Sequence, residues 1–272
     1  MTNVILAATG NVGRQIVAQL AGHAAVRAVT RDPAALPGSV YGDLSAPDTI
    51  AACVEEGDAV FLLWPLHTGR LLPAVVDAIA RRAGRVVFLG TGGVPDLGFE
   101  EQEKLIHGCG IASTVLRPST FAVNTLWWTG QIRTGDVVRG AYGALPMALI
   151  HEADMAAVAV RALTEPGHDD ATYELTGPEI LTQAEQVRVI GEVLDRPLRW
   201  EGLTREQARL RLLADETFPD SFVDVLLDGY AAMLAGPPPT LTSTVQDVTG
   251  TPPRSLREWV ADHAADFVCP GP

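Results

Sequence analysis

Lysine is nearly missing from this 272-residue chain: Lys104 is the only one, against 19 arginines. Acidic residues outnumber basic ones by 33 to 20, a net charge of −13. A surface that grips nucleic-acid phosphates needs a clustered excess of cations. Here the basic residues are scattered, so no nucleic-acid partner is expected, and the acidic balance reads as a solvated surface. Cysteine is sparse too. Cys53, Cys109 and Cys269 are far apart and odd in number, which gives neither a disulfide framework nor metal-ligand spacing. No metal is expected. A run of roughly 18 or more apolar residues is also absent, so no membrane-spanning helix is expected. A first strand starting almost at Met1 leaves no room for a signal peptide, and the expectation is a cytoplasmic protein.

What is present is a chain 47% hydrophobic, enough for one sizeable core or one core with a smaller lobe. Short apolar runs ("VILAA", "VRAVT", "AVFLLW", "RVVFLG", "STVLRP") alternate with helical patterns such as "RQIVAQLAG" and "GRLLPAVVDAIARRAG". Strands apolar throughout are buried on both faces, which points to a parallel sheet covered by helices. The fold class is therefore α/β, a doubly wound parallel sheet. After Pro118 the rhythm breaks into an aromatic, loop-rich stretch. "EADMAAVAVRALTEP" then returns to a helix, "ATYELTG" looks like a last strand, and the chain from Thr182 is largely helical. The division expected is 1–150, with 151–178 returning to it, and a mostly helical lobe over 179–272.

The stretch "NVILAATGNVGRQIVAQL", Asn3 to Leu20, reads as strand, glycine turn and helix. Such a turn gathers backbone N–H groups and the positive end of a helix around one point, which suits a pyrophosphate. Gly10 would let the backbone approach the phosphates and Gly13 would let the helix pack close to the sheet. Thr9, Asn11 and Val12 complete the loop. Ala7 stands where a first glycine is expected. At the end of the second strand, "VTRDPAALP", an acidic residue would favour NAD. Arg31 comes first instead, and an arginine there can pair with a 2′-phosphate, which favours NADP(H). A solvated loop arginine is the other reading.

Taken with "YGDLSAPDTIAACVEEGDAVFLL", "GIASTVLRPSTFAVN", "HEADMAAVAVRALTEP" and "VQDVTGTPPRSLREWVADHAADF", these segments resemble the NmrA-like branch of atypical short-chain dehydrogenases/reductases. The resemblance covers essentially the whole chain. It implies a Rossmann domain, a small helical substrate lobe and a cleft between them. It also implies cofactor contacts at Gly10 to Gly13, at Arg31 near the 2′-phosphate, and at Asp43 and Leu44 against the adenine. Leu63 and Trp64 are implied at a cofactor-facing edge, Gly90 and Thr91 near the nicotinamide ribose, and Pro118 and Phe121 beside the nicotinamide. Ala7 departs from the family's glycine, so re-shaped or weaker binding is expected rather than none.

Typical short-chain dehydrogenases pair a tyrosine with a lysine four residues on. The residue four before Lys104 is Glu100, so none of the four tyrosines makes that dyad in sequence. The lysine that the family's ether reductases carry near the start of the equivalent helix is missing from "GFEEQ" as well. Hydride transfer needs mainly proximity and orientation, so a substrate that accepts hydride without strong acid help would suit this chain. The expected function is NADPH-dependent reduction of a small, largely apolar conjugated carbonyl or quinone-like compound. A non-catalytic dinucleotide sensor, or a cofactor-free dehydratase or cyclase on the same scaffold, are the alternatives. Thr91 and His67 are candidate proton donors. Trp64, His67, Phe121, Asn124, Trp127 and Trp128 are the candidate substrate pocket, while His151 precedes the "EADMAAV" helix and Asp154 within it reads as ordering that helix start. A monomer or weak homodimer is expected.

Overall fold

The computed structural model describes residues 1–268 apart from Thr91, Gly93, Pro95, Glu216 and Thr217. Along the chain come β1 (Asn3–Ile5), α1 (Asn11–Leu20), β2 (Val26–Thr30), β3 (Val40–Tyr41), α2 (Pro47–Ala51), β4 (Ala59–Leu63), α3 (Leu72–Ala80), β5 (Arg85–Leu89), α4 (Phe99–His107) and β6 (Ala112–Pro118). There follow β7 (Thr120–Phe121), a 3-10 segment (Ala122–Trp128), α5 (Thr129–Thr134), β8 (Val137–Gly140), β9 (Pro146–Ile150), α6 (Glu152–Thr164) and β10 (Ala171–Leu175). The remainder is β11 (Ile180–Thr182), α7 (Gln183–Val193), β12 (Arg199–Gly202), α8 (Arg205–Leu213), α9 (Asp220–Ala235), α10 (Thr244–Thr249), α11 (Leu256–Asp262) and α12 (Ala264–Val268).

The chain divides into two compact units. The first comprises Met1–Pro118, Glu152–Leu175 and Ser243–Pro252. Its seven-stranded sheet has the order β10-β6-β5-β4-β1-β2-β3, with every pairing parallel. This is the doubly wound α/β fold expected from the sequence. The strands are apolar because both faces are covered: Val4, Leu6, Leu62, Val86, Phe88 and Val115 share one core, and the alternate residues Ile5, Phe61, Val87 and Leu116 are fully buried on the other face. α1 buries Val12, Gly13, Ile16 and Leu20, a helical stripe. α6 presents Ala156, Ala159 and Ala162, all fully buried, and such small residues let helices approach closely; Gln19 of α1 donates to the Ala153 carbonyl at 3.0 Å.

The second unit comprises Ser119–His151, Thr176–Thr242 and Pro253–Pro272. Its helices α7, α8 and α11 start at capping boxes, Thr182 with Glu185, Thr204 with Gln207 and Ser255 with Glu258. Ile132, Val138, Leu145, Val187, Ile190, Trp259 and Phe267 form one core, and Ala141, Ala208, Phe218, Val223 and Leu227 a second.

Besides residues 176–178, which fall in the second unit, the division differs from the expected boundaries in two larger places. Residues 119–151 join the second unit because Ile132, Val138, Leu145 and Met147 pack with Trp259 and Ile190 rather than with the parallel sheet. Residues 243–252 return to the first, where α10 lies against α6 and β10 with Val245 buried. The second unit is also less purely helical than expected. β12 pairs in parallel with β8, and β9 lies between β11 and β7. Among the described residues, no helix is long and apolar enough to cross a membrane.

Candidate functional site

The strand order of the first unit reverses between β1 and β4, and ligands of open α/β sheets bind outside the carboxyl ends of the strands at such a point. The loop leaving β1 is pinned to both neighbours. The Leu6 amide donates to the Phe61 carbonyl at 3.1 Å and the Ala8 amide to the Val29 carbonyl at 3.0 Å. Between them Ala7 adopts φ 56°, the left-handed region. The ordinary dihedrals that would have kept the loop unstrained are not what the chain uses. Alanine makes the turn a glycine would make, at a cost of about 1 kcal/mol. The turn is held because the Gly10 amide donates back to the Ala7 carbonyl at 2.9 Å.

That carbonyl also explains the second glycine. A Cβ on Gly13 would lie 2.3 Å from the Ala7 oxygen, so only glycine lets α1 settle against the turn. Gly10, the residue before α1, has no side chain to cap the helix, and no acidic residue stands in the first turn. The first N–H groups of a helix lack intrahelical partners, so this end suits an anionic group. Gly10 and Thr9 are exposed while Val12 is buried beneath them. The Asn11 side-chain oxygen accepts a hydrogen bond from Arg14. The residues present fit a dinucleotide's pyrophosphate.

At the end of β2, the Thr30 hydroxyl lies 3.4 Å from the Thr9 hydroxyl and accepts from the Asp32 amide at 3.2 Å. Arg31 is exposed and makes no hydrogen bond or ion pair among the described residues. Its charge reaches Asp43. The Ser45 amide, 2.8 Å from Oδ1, and the Ser45 hydroxyl hold the Asp43 carboxyl below the usual range, and Arg31 adds to the effect. Leu44 beside it is buried in the core.

Farther along the same edge, Leu63 ends β4 half-buried. Trp64 is placed differently from the pocket-lining ring expected. It is 3% exposed, packs in the core with Leu62 and Phe88, and its Nε1 donates to the Thr68 carbonyl at 2.9 Å. A large apolar ring beside buried strands, with a carbonyl for its one donor, belongs to the interior. His67, on the loop between, is exposed. Asp96 ties that loop to the one after β5, accepting from the Thr68 hydroxyl at 2.6 Å and the Gly69 amide at 2.7 Å. Gly90 donates to the Leu116 carbonyl at 3.0 Å, and a Cβ there would sit 2.0 Å from the Phe99 ring. Thr91, a candidate for both cofactor and proton, lies outside the described residues, as does Cys269. Pro118 closes β6 and Phe121 lies on β7, both half-buried.

No tyrosine–lysine dyad forms. Lys104 is exposed on α4 and makes no hydrogen bond or ion pair among the described residues. Tyr173 on β10 has its hydroxyl 2.8 Å from His168 Nδ1, and burial pushes its pKa up. His151 is buried with Nε2 3.4 Å from Asp262. Asp154 and Glu152 are buried at the start of α6. Among the described residues, no group of three or more His, Cys, Asp or Glu side chains is placed to hold a metal.

The second unit contains a hollow of about 780 Å³, its open mouth included. Its walls carry Asn124, Trp127 and Trp128, three of the side chains singled out in the sequence, together with Met147, Trp200, Phe218, Leu227 and Tyr230. Trp127 meets Phe218 edge-on at 5.5 Å, and Trp128 meets Trp200 in the same way at 5.7 Å. Both tryptophans therefore serve the cavity wall and the packing behind it. Burial pushes the Tyr230 hydroxyl up to about 12, so it keeps its proton at neutral pH. Trp200, Phe218, Tyr230, Arg139 and Arg211 were not legible as site residues. They come from distant segments, and no spacing links them; a tryptophan after "RPLR" was the only cue.

The NAD(P)H-binding family model matches residues 7–166. A (4-alkanoyl-5-oxo-2,5-dihydrofuran-3-yl)methyl phosphate reductase of Streptomyces griseus is 36% identical over 97% of this chain and 98% of its own. An NAD(P)H azoreductase of Xenophilus azovorans is 30% identical over 97% of this chain and 98% of its own. Among solved structures, an NADPH-dependent quinone oxidoreductase of Escherichia coli, complexed with NADPH, superimposes with a TM-score of 0.82. It covers 97% of this chain and 100% of its own at 22% identity, a likeness of fold.

Proposed function

The chain belongs to the NAD(P)H-binding family, and from that premise we propose that it is an NADPH-dependent reductase of a conjugated carbonyl compound. The observation that carries the reading is the glycine turn at the sheet's switch point. There an uncapped helix end stands bare, with an unpaired arginine on the neighbouring strand end. In this reading the amides of Asn11, Val12 and Gly13 hold the diphosphate, and Arg31 holds the 2′-phosphate through paired N–H donors. Asp43 and Leu44 flank the adenine, and Gly90 and Pro118 border the nicotinamide.

The cofactor supplies a hydride when bound. What the chain must add is a place for an apolar acceptor and a donor for the oxygen that becomes negative. The aromatic cavity of the second unit suits the first need. Asn124 and the protonated Tyr230 on its walls suit the second. With Lys104 unpaired on α4 and no dyad, the acceptor has to be activated by its own conjugation. The substrate in the Streptomyces relative's name fits that demand, since its ring double bond is conjugated with two carbonyls. A quinone fits equally.

The test is NADPH consumption by the purified protein against a panel of acylbutenolides and quinones. Turnover with NADPH, and at least about tenfold less with NADH, is expected. Tight NADPH binding without turnover of any acceptor would instead point to the dinucleotide sensor.

A further inference from the structure

The polar groups on the walls of the second unit's cavity fall into two sets. Gln131, Gln183 and Gln186 are committed to backbone: Gln131 bonds both the amide and the carbonyl of Arg139, Gln183 donates to Ala141 and Tyr142, and Gln186 to Leu181. Arg139 is committed too, its guanidinium forked onto Glu201 at 2.9 and 3.2 Å. Every member of the uncommitted set can donate, although the amide oxygen and the hydroxyls among them can also accept. The Asn124 amide and the Thr120 and Tyr230 hydroxyls have no hydrogen-bond partner among the described residues, and the Trp200 Nε1 is buried without one. The charged member is Arg211, at the end of α8, whose guanidinium makes no ion pair or hydrogen bond among the described residues. Asp215, one turn on, also lines the cavity but has an interaction of its own.

An unpaired arginine is uncommon in this chain. Most of its arginines hold a carboxylate or a backbone carbonyl, as Arg27, Arg85, Arg117, Arg196 and Arg209 do. Arg211 also borders a smaller polar hollow of about 330 Å³, which shares Gln131 and Arg139 with the first. An apolar cavity whose unused groups can all donate, one of them a cation, complements a ligand with an apolar body, carbonyl acceptors and a negative charge.

We propose that the substrate carries an anionic group, a phosphate monoester or another oxyanion, and that Arg211 at the cavity wall holds it. This rests on the reductase reading only for what then happens to the ligand. Without a cation at this point, the net charge of −13 would disfavour an anionic ligand over its neutral counterpart.

The probe is a matched pair: an acylbutenolide bearing a methyl phosphate, and the same compound with a free hydroxymethyl group. Binding is followed by quenching of tryptophan fluorescence, since Trp127, Trp128 and Trp200 line the cavity. The phosphate is expected to bind at least about tenfold more tightly. Arg211→Gln should abolish that preference, and Arg211→Lys should keep part of it. Arg211 is exposed, so these variants should fold. Arg81→Gln removes the same charge from an exposed arginine at the end of α3 and should leave the preference intact. Equal binding of the pair, or a preference that Arg211→Gln leaves or Arg81→Gln also removes, would overturn the assignment. Turnover without anion preference sinks this proposal and leaves the reductase standing. Anion-selective binding without NADPH consumption supports Arg211 and removes the reductase.

Discussion

In the first unit the diphosphate is expected at backbone atoms, and in the second unit an anionic group is expected at side chains. The turn after β1 gathers amides that belong to every residue, and what sequence contributes is mainly the absence of side chains at Gly10 and Gly13. The cavity of the second unit depends on Trp127, Trp128, Trp200, Phe218, Tyr230 and Arg211, drawn from segments far apart in the chain. A backbone site tolerates change anywhere except where a Cβ intrudes. A side-chain site can be retuned one residue at a time while the fold persists, so the second unit is where substrate choice would vary.

That contrast can be broken most directly at Gly13. Gly13→Ala places a Cβ against the Ala7 oxygen, 2.3 Å away before relaxation, and should cost about 1–3 kcal/mol of stability in chemical denaturation. NADPH binding by calorimetry should weaken at the same time, while quenching by a quinone in the second unit persists in the folded fraction. Arg31→Ala should sharpen the contrast, weakening NADPH by about 1.5–3 kcal/mol and leaving NADH unchanged. Trp127→Ala should do the reverse. KM for a quinone should rise severalfold while the NADPH Kd stays the same. Ala7→Gly relieves the left-handed alanine, and the unfolding free energy should rise by at most about 1 kcal/mol.

The smallest effect is a pH dependence. Tyr230 is raised from 10.0 to about 12, so its contribution to stability is complete below pH 10.0 and is lost as pH climbs through about 12. Tyr230→Phe should flatten the fall in stability across that window. An unchanged slope would show that the phenol is less buried than its surroundings indicate.

Sequence reading reached the two units unequally, for the same physical reason. The sheet's strands announce themselves as apolar runs, and the turn from Thr9 to Gly13 is local, so its parts lie within one short stretch. β3, two exposed residues long, carries no such pattern. The left-handed φ of Ala7 was invisible because nothing in a single alanine says it will be held there by Leu6, Ala8 and Gly10. Trp64 looked like a pocket residue from its place at a strand end, but the core and the Thr68 carbonyl claim it. The double tryptophan in a polar loop was readable as a cavity wall. Arg211 was not, since its lack of a partner is a fact about the space around it.

In the proposed reaction, NADPH bound by the first unit reduces a conjugated carbonyl compound. The measurement that tests it most directly uses NADPH carrying deuterium at the transferable position of the nicotinamide, with an acylbutenolide or quinone acceptor, and weighs the product. For the acylbutenolide, a product one mass unit heavier at the carbon that accepts the hydride is the expected result. For a quinone, whose added hydrogen exchanges with water, matched loss of the label from the cofactor is the equivalent. Saturating NADPH that is bound yet keeps its deuterium against every acceptor would contradict the account.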